Sequence, residues 1–274
     1  MTDVIRGSET PLLEIRDLRV SFGRRGSRRS REVVAVDGVS LTVGHEETVG
    51  LVGESGSGKT TVARTVVGLV RPDSGSVLLD GQRLGPAGRR PAALQRAVQM
   101  VFQDPRSSLN PRMTVAAMIN EVWRTHPGSA PPGDRTTALH RLLDDVGLDP
   151  SVAGHRASEL SGGQCQRVSI ARALAVGPRL LVCDEAVSAL DVSVQAQVLR
   201  LLVDLRRRHR LSMLFISHDL GVVHQIADRI AVMHRGVLVE EGPAGDVLGS
   251  PRHDYTRSLL DAALELNTGE GIEA

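Results

Sequence analysis

Apolar and charged positions alternate in some stretches of the chain and segregate in others. Residues 12–20 interleave Leu12, Ile15, Leu18 and Val20 with Glu14, Arg16 and Arg19, the mixture expected of a half-buried strand. Residues 33–43 predict a second strand. Between them, Arg24 to Glu32 is basic, rich in Gly and Ser and free of apolar residues, and reads as a solvated hairpin loop. Thr48–Val52, Leu180–Cys183 and Met213–Ser217 are short, almost wholly apolar runs, as in strands of a parallel sheet covered on both faces. Ile230–Met233 with Val237–Glu240 predicts a closing hairpin. Helical spacing appears at Val62, Thr65, Val66 and Leu69, and at Leu139, Leu142, Leu143 and Val146, with Gly147 placed as a C-terminal cap. From Gln195 to His209, Val198, Leu201, Leu202 and Leu205 mark an amphipathic helix. The pattern predicts an α/β core with a β subdomain over about 12–100 and 163–250, an inserted helical subdomain over about 101–162, and a polar, disordered tail over 263–274. There is no internal repeat.

Composition narrows the class. The 274 residues are 41% hydrophobic, enough for a substantial core, but only 2% aromatic, so packing must rest on Val, Leu, Ile and Ala. A formal net charge of +1 argues against a protein whose task is gripping nucleic-acid phosphates. Two cysteines, Cys165 and Cys183, supply neither a disulfide framework nor a metal cluster, which suits a reducing compartment. No apolar run approaches the roughly 20 residues that cross a bilayer, and the N-terminus lacks the pattern of a secretion signal. Any membrane role is therefore expected to be peripheral. Lys59 is the only lysine among 33 basic residues, which marks position 59 as one that did not accept arginine.

That lysine belongs to Gly53-Glu54-Ser55-Gly56-Ser57-Gly58-Lys59-Thr60, a complete G-x-x-x-x-G-K-[ST] loop followed by Thr61. It lies between an apolar strand and a helical pattern, where its chemistry requires it. Glycines let backbone N–H groups turn toward phosphate oxygens, and the helix N-terminus adds its positive dipole end. Lys59 offers a compact charge to the β- and γ-phosphates that the broad fork of arginine does not reproduce. Thr60 offers a hydroxyl to Mg²⁺. The strand Leu180–Cys183 then ends in Asp184 and Glu185. Asp184 is placed to hold Mg²⁺ through water, and Glu185 to orient or deprotonate an attacking water. Together these predict a nucleoside triphosphatase.

Leu160-Ser161-Gly162-Gly163-Gln164 says which kind. This run, upstream of the acidic strand, resembles the signature of the ABC ATPase family. The resemblance implies a P-loop NTPase (RecA-like) core with an N-terminal antiparallel β subdomain and an inserted α-helical subdomain. It implies that two nucleotide domains pack head to tail, each holding ATP between its own P-loop and the partner's signature, which in this chain is Ser161, Gly162, Gly163 and Gln164. It further assigns Gln103 to the loop that touches Mg²⁺ or its water, Asp191 to the loop that contacts the opposite site, His218 to the γ-phosphate and Phe22 to the adenine ring. Ala186 departs from the family's proline after the glutamate, and Cys165 from a long side chain after the signature. The other eight histidines show no ligand-like pairing.

Phe102-Gln103-Asp104-Pro105, Ser108 to Arg112, Ser188 to Val198 and Pro251 to Thr256 are more specific. Over roughly residues 12–262 the chain resembles the second, "F-type" ATPase subunit of dipeptide, oligopeptide and nickel importers. Asp254 stands where proline is usual, and the sequence stops before the cysteine-bearing extension that many such subunits carry, so no iron–sulfur cluster is expected. The resemblance implies a second, distinct ATPase subunit, two membrane-spanning permease subunits, an external solute-binding protein, and a place on the cytoplasmic face of the inner membrane. Di- or oligopeptide is the expected cargo, with nickel or another small solute as the alternative. An exporter, a homodimeric motor and a non-transport ABC ATPase acting on DNA or ribosomes are the other readings. The last usually has two cassettes in one chain, a long coiled coil or zinc-binding cysteines, none of which is present.

Overall fold

The computed structural model describes residues 10–23 and 32–269, with side chains as far as residue 262. The expected basic hairpin loop at 24–31 lies outside the described residues. In chain order, β1 (Leu13–Phe22) and β2 (Val33–Val43) lead to β3 (Thr48–Val52), α1 (Lys59–Val66), β4 (Ser74–Leu79) and β5 (Gln82–Arg83). Next come α2 (Ala92–Ala97), β6 (Val98–Val101), α3 (Pro105–Ser108), α4 (Val115–Thr125) and α5 (Arg135–Asp145). After two 3₁₀ turns, α6 (Gly162–Leu174), β7 (Leu180–Asp184), α7 (Val192–His209), β8 (Ser212–Ser217) and α8 (Leu220–His224) follow. The chain closes with β9 (Arg229–His234), β10 (Val237–Pro243), α9 (Ala244–Gly249) and α10 (Asp254–Gly269).

Two sheets form among the described residues. An antiparallel sheet has the order β2-β1-β4-β5, and a second has the order β10-β9-β3-β8-β7-β6. In the latter, every neighbouring pair from β9 to β6 is parallel, and only the β9–β10 hairpin is antiparallel. The continuous apolar runs feed two cores, because successive side chains of a strand point to opposite faces. Leu181, Cys183, Met213 and Phe215 pack with α4 to α7, whereas Leu180, Val182, Leu214 and Ile216 pack toward β1, β2 and α1. The helical segment is seated on the first core through Trp123, whose indole N–H donates to Ala175 O at 3.0 Å.

Some boundaries differ from the sequence pattern. α1 ends at Val66, Gly68 turns the backbone with φ +82°, and Leu69, expected on the helix's apolar face, is 60% exposed. α7 starts three residues before Gln195 because Asp191 caps it, accepting the Val194 N–H at 2.9 Å. The C-terminal segment expected as a disordered tail continues as helix α10 to Gly269, with 270–274 outside the described residues. No described helix is long and apolar enough to cross a membrane.

Candidate nucleotide-binding and hydrolysis site

Four adjacent parallel strands each deliver a residue to one place at their carboxyl ends, where open α/β sheets bind ligands. β3 runs into the Gly53–Thr60 loop, β8 ends beside His218, β7 ends in Asp184 and Glu185, and β6 leads to Gln103. A cleft of about 260 Å³ opens there, lined by Ser55, Gly56, Gly58, Lys59, Thr60, Thr61, Gln103, Glu185 and Ala35.

The loop is shaped by close approaches that only glycine allows. Gly53 and Gly58 have φ of +149° and +109°. A Cβ on Gly53 would meet Met233 O at 2.0 Å, and one on Gly58 would meet Ala35 O at 2.2 Å. Lys59 opens α1 at 4% exposure, its ammonium donating to Gly53 O at 2.6 Å and Glu54 O at 2.8 Å. Burial pulls this ammonium below its usual value, against the upward pull of Glu185, Asp184 and Glu54. Thr60 donates its hydroxyl to Asp184 Oδ1 at 3.0 Å. Asp184 is 5% exposed, and burial pushes its carboxyl up against that hydrogen bond.

Glu185 is the hub. Its Oε2 accepts from Gln103 Nε2 at 2.8 Å, and its Oε1 lies 3.3 Å from His218 Nδ1. Its backbone is left-handed, φ +49°, a conformation that costs a non-glycine residue about 1–2 kcal/mol. The turn is nevertheless closed: the Ser188 N–H and hydroxyl both donate to Glu185 O, at 3.2 and 3.0 Å, and Ala186 is buried. The departure from proline therefore leaves the turn intact.

Not every candidate lies in this cleft. Ser161, Gly162, Gly163 and Gln164 open α6, where the Ser161 hydroxyl accepts the Gln164 N–H at 3.2 Å and Gln164 Oε1 accepts the Ser161 N–H at 2.9 Å. Asp191 opens α7 next to it: a Cβ on Gly163 would meet Val194 Cγ1 at 2.7 Å, and one on Gly162 would lie 3.8 Å from Leu190. The signature and Asp191 thus share a second patch, and neither contributes to the lining of the cleft. Phe22 ends β1 at 47% exposure, so it is not core, and its partner Val33 is two residues from the cleft-lining Ala35. Cys165 is buried, its thiol donating weakly toward Ala157 O at 3.5 Å. Two contacts that the sequence does not reveal are the Ala35 wall and the Tyr255 hydroxyl, which accepts the Glu54 N–H at 3.0 Å. Neither carries a local signal, because both depend on distant segments meeting.

Residues 36–188 match the family model described as "ABC transporter". The chain belongs to this family. It is 45% identical over 259 residues to the oligopeptide transport ATP-binding protein OppF of Escherichia coli, covering 92% of this chain and 77% of that one. It is 46% identical to the E. coli glutathione import ATP-binding protein GsiA, spanning 92% of this chain but 41% of that longer one. Among solved structures it is similar to the dimeric ABC transporter cassette MJ0796, with a TM-score of 0.72 at 26% identity, over 85% of this chain and 98% of that chain. The fold also matches cbiO1 of Clostridium perfringens, with a TM-score of 0.75 at 22% identity, over 96% of this chain and the whole of that one. The protein is an ABC-type ATPase with the expected α/β core and β subdomain.

The raised carboxyl of Asp184 has a consequence for stability. A folded-state value above the unfolded one means that stability is greatest below roughly pH 4 for this group and is lost as the pH rises through the folded value. Asp184→Asn, which keeps an acceptor for Thr60, is expected to melt at a higher temperature than the parent at pH 7, with the gap narrowing as the pH falls toward 4. Calorimetric scans across that range check it, and an equal or lower melting temperature at pH 7 would count against a costly buried charge.

Proposed function

We propose that this chain is the ATP-hydrolysing motor subunit of an importer of oligopeptides, acting on the cytoplasmic face of the membrane through permease partners. The observation that carries the catalytic part is the convergence of Gln103 and His218 on the Glu185 carboxylate beside the Lys59 cleft. The peptide part is supported by OppF and GsiA, named for oligopeptide transport and glutathione import.

ATP is the substrate. In this reading the N–H groups from Gly56 to Thr61 cradle its phosphates, Lys59 neutralises the β- and γ-oxygens, and Phe22 stacks on the adenine. Hydroxyl, amide and carboxylate oxygens are the donors that Mg²⁺ takes, so Thr60 and Gln103 would hold it directly and Asp184 through water. The ion would supply neutralisation of phosphate charge. Glu185 accepts a proton from the attacking water, Gln103 fixes the direction of that carboxylate, and His218 donates to the γ-phosphate.

The signature patch is separate from the cleft, so in this reading Ser161, Gly162, Gly163, Gln164 and Asp191 meet the nucleotide held by a second ATPase subunit, related but distinct, whose own signature closes over the cleft of this chain. Closure of the pair excludes water and moves the two permeases, and hydrolysis reopens it. An external solute-binding protein presents the cargo.

Glu185→Gln is expected to keep ATP affinity while turnover falls about 10²- to 10⁴-fold, and to trap the closed pair. Near-normal ATPase activity in that variant would remove Glu185 from the role. Lys59→Ala should weaken nucleotide binding about 10- to 100-fold, since it deletes a charge-assisted contact to phosphate; equilibrium titration measures it, and unchanged affinity would sink the cradle reading. The transport reading is tested by tagging the chain in its own cell, solubilising the membranes gently and identifying what co-purifies. Two permeases, a second ATPase and a peptide-loaded binding protein are expected. Ribosomes or nucleic acid, with no membrane protein, would overturn transport and leave the ATPase standing.

A further inference from the structure

The P-loop has one hydrogen-bond partner that phosphate binding does not call for. The Glu54 N–H donates to Tyr255 Oη at 3.0 Å, across 201 positions of sequence. Glu54 is outside the lining of the cleft, and its N–H is taken up by the tyrosine. The same residue's carbonyl accepts the Lys59 ammonium at 2.8 Å. A single residue therefore joins Tyr255 on one side to the loop's lysine on the other.

Tyr255, the only tyrosine of the chain, is held firmly for this task. Its ring stacks on His234, with centroids 3.9 Å apart and planes 16° from parallel. Its own N–H donates to His253 Nδ1 at 3.1 Å, and Glu240 on β10 accepts from the Arg252 and His253 N–H groups at 2.8 and 3.0 Å. His234 ends β9 directly after Met233, whose carbonyl limits Gly53, and the Gly236 N–H donates to Ser57 O at 2.9 Å. The β9–β10 turn and the start of α10 thus hold the loop from outside at two points, Ser57 and Glu54.

We propose that Tyr255 is a positioning residue for nucleotide binding: its hydroxyl fixes the Glu54 backbone, and through the Glu54 carbonyl the Lys59 ammonium, so that the loop meets the phosphates already ordered. Tyr255 itself touches no nucleotide. A loop ordered in advance loses less conformational freedom on binding, and this appears as affinity rather than as turnover. The proposal rests on the reading of Gly56 to Thr61 as the phosphate cradle.

Tyr255→Phe keeps the ring and its stack on His234 and removes only the acceptor. The full chain is titrated calorimetrically with MgADP beside the parent and Lys59→Ala, with binding stoichiometry reporting the folded fraction and melting temperature recorded without nucleotide. Loss of one net hydrogen bond predicts a Kd for Tyr255→Phe raised about two- to tenfold at unchanged stoichiometry. A Kd equal to the parent's overturns the proposal, whatever the melting temperature does, because a purely structural hydroxyl would lower stability and leave the affinity of folded molecules alone. A parent that fails to bind MgADP, or a Kd that Lys59→Ala leaves unchanged, overturns the cradle reading and the Tyr255 role with it.

Discussion

Lys59 and Asp184 are both almost wholly buried at the carboxyl ends of two strands, β3 and β7, that sit one strand apart. Burying a charge is expensive unless it is compensated, and the neighbourhood is arranged around that constraint. Lys59 is surrounded by loop carbonyls and by three carboxylates, and Asp184 has the Thr60 hydroxyl as donor. The opposite shifts of the two groups record what compensation leaves undone: the lysine is pulled down and the aspartate pushed up, each by burial. In the proposed reading, a phosphate beside Lys59 and a cation beside Asp184 would satisfy both groups at once.

The sheet makes the arrangement possible. Because β3, β8, β7 and β6 are adjacent and parallel, their ends project loops in one direction, and the loop, His218, Glu185 and Gln103 arrive together without long connections. The two cores keep those ends still. Alternate residues of β7 and β8 anchor in each core, so neither strand can slip by one residue without turning both faces inside out.

Much of this was legible in the sequence because it is local. Thr48–Val52, Leu180–Cys183 and Met213–Ser217 are continuous apolar runs, and the loop glycines, the acidic pair and the signature each occupy a few consecutive residues. β4 and β6 are harder to read: Ser74–Leu79 begins with Ser-Gly-Ser, and Val98–Val101 is four residues long with a glutamine inside. Leu69 fits the helical period of α1 but follows Gly68, whose positive φ ends the helix. The early start of α7 did have a signal, since Asp191 stands three residues before Val194 in the position of an N-cap. The Tyr255–Glu54 bond had none, being a meeting of segments that only the assembled sheet brings together.

The second patch follows a different electrostatic logic from the cleft. α6 and α7 begin side by side, yet their caps differ in charge: Ser161 is neutral and Asp191 is an anion whose carboxyl the Val194 N–H and Ser193 hydroxyl hold below its usual value. An anionic cap offsets the positive end of its own helix, whereas a serine cap satisfies a backbone donor and leaves the dipole uncompensated. Of two adjacent helix ends, only that of α6 is left able to attract a negative group. In the proposed dimer this end faces the γ-phosphate held by the partner's P-loop, while Asp191 keeps the neighbouring helix from competing for it. The separation of the two surfaces within one chain then becomes the basis of control, since neither half binds the phosphate on both sides until a second subunit closes over it.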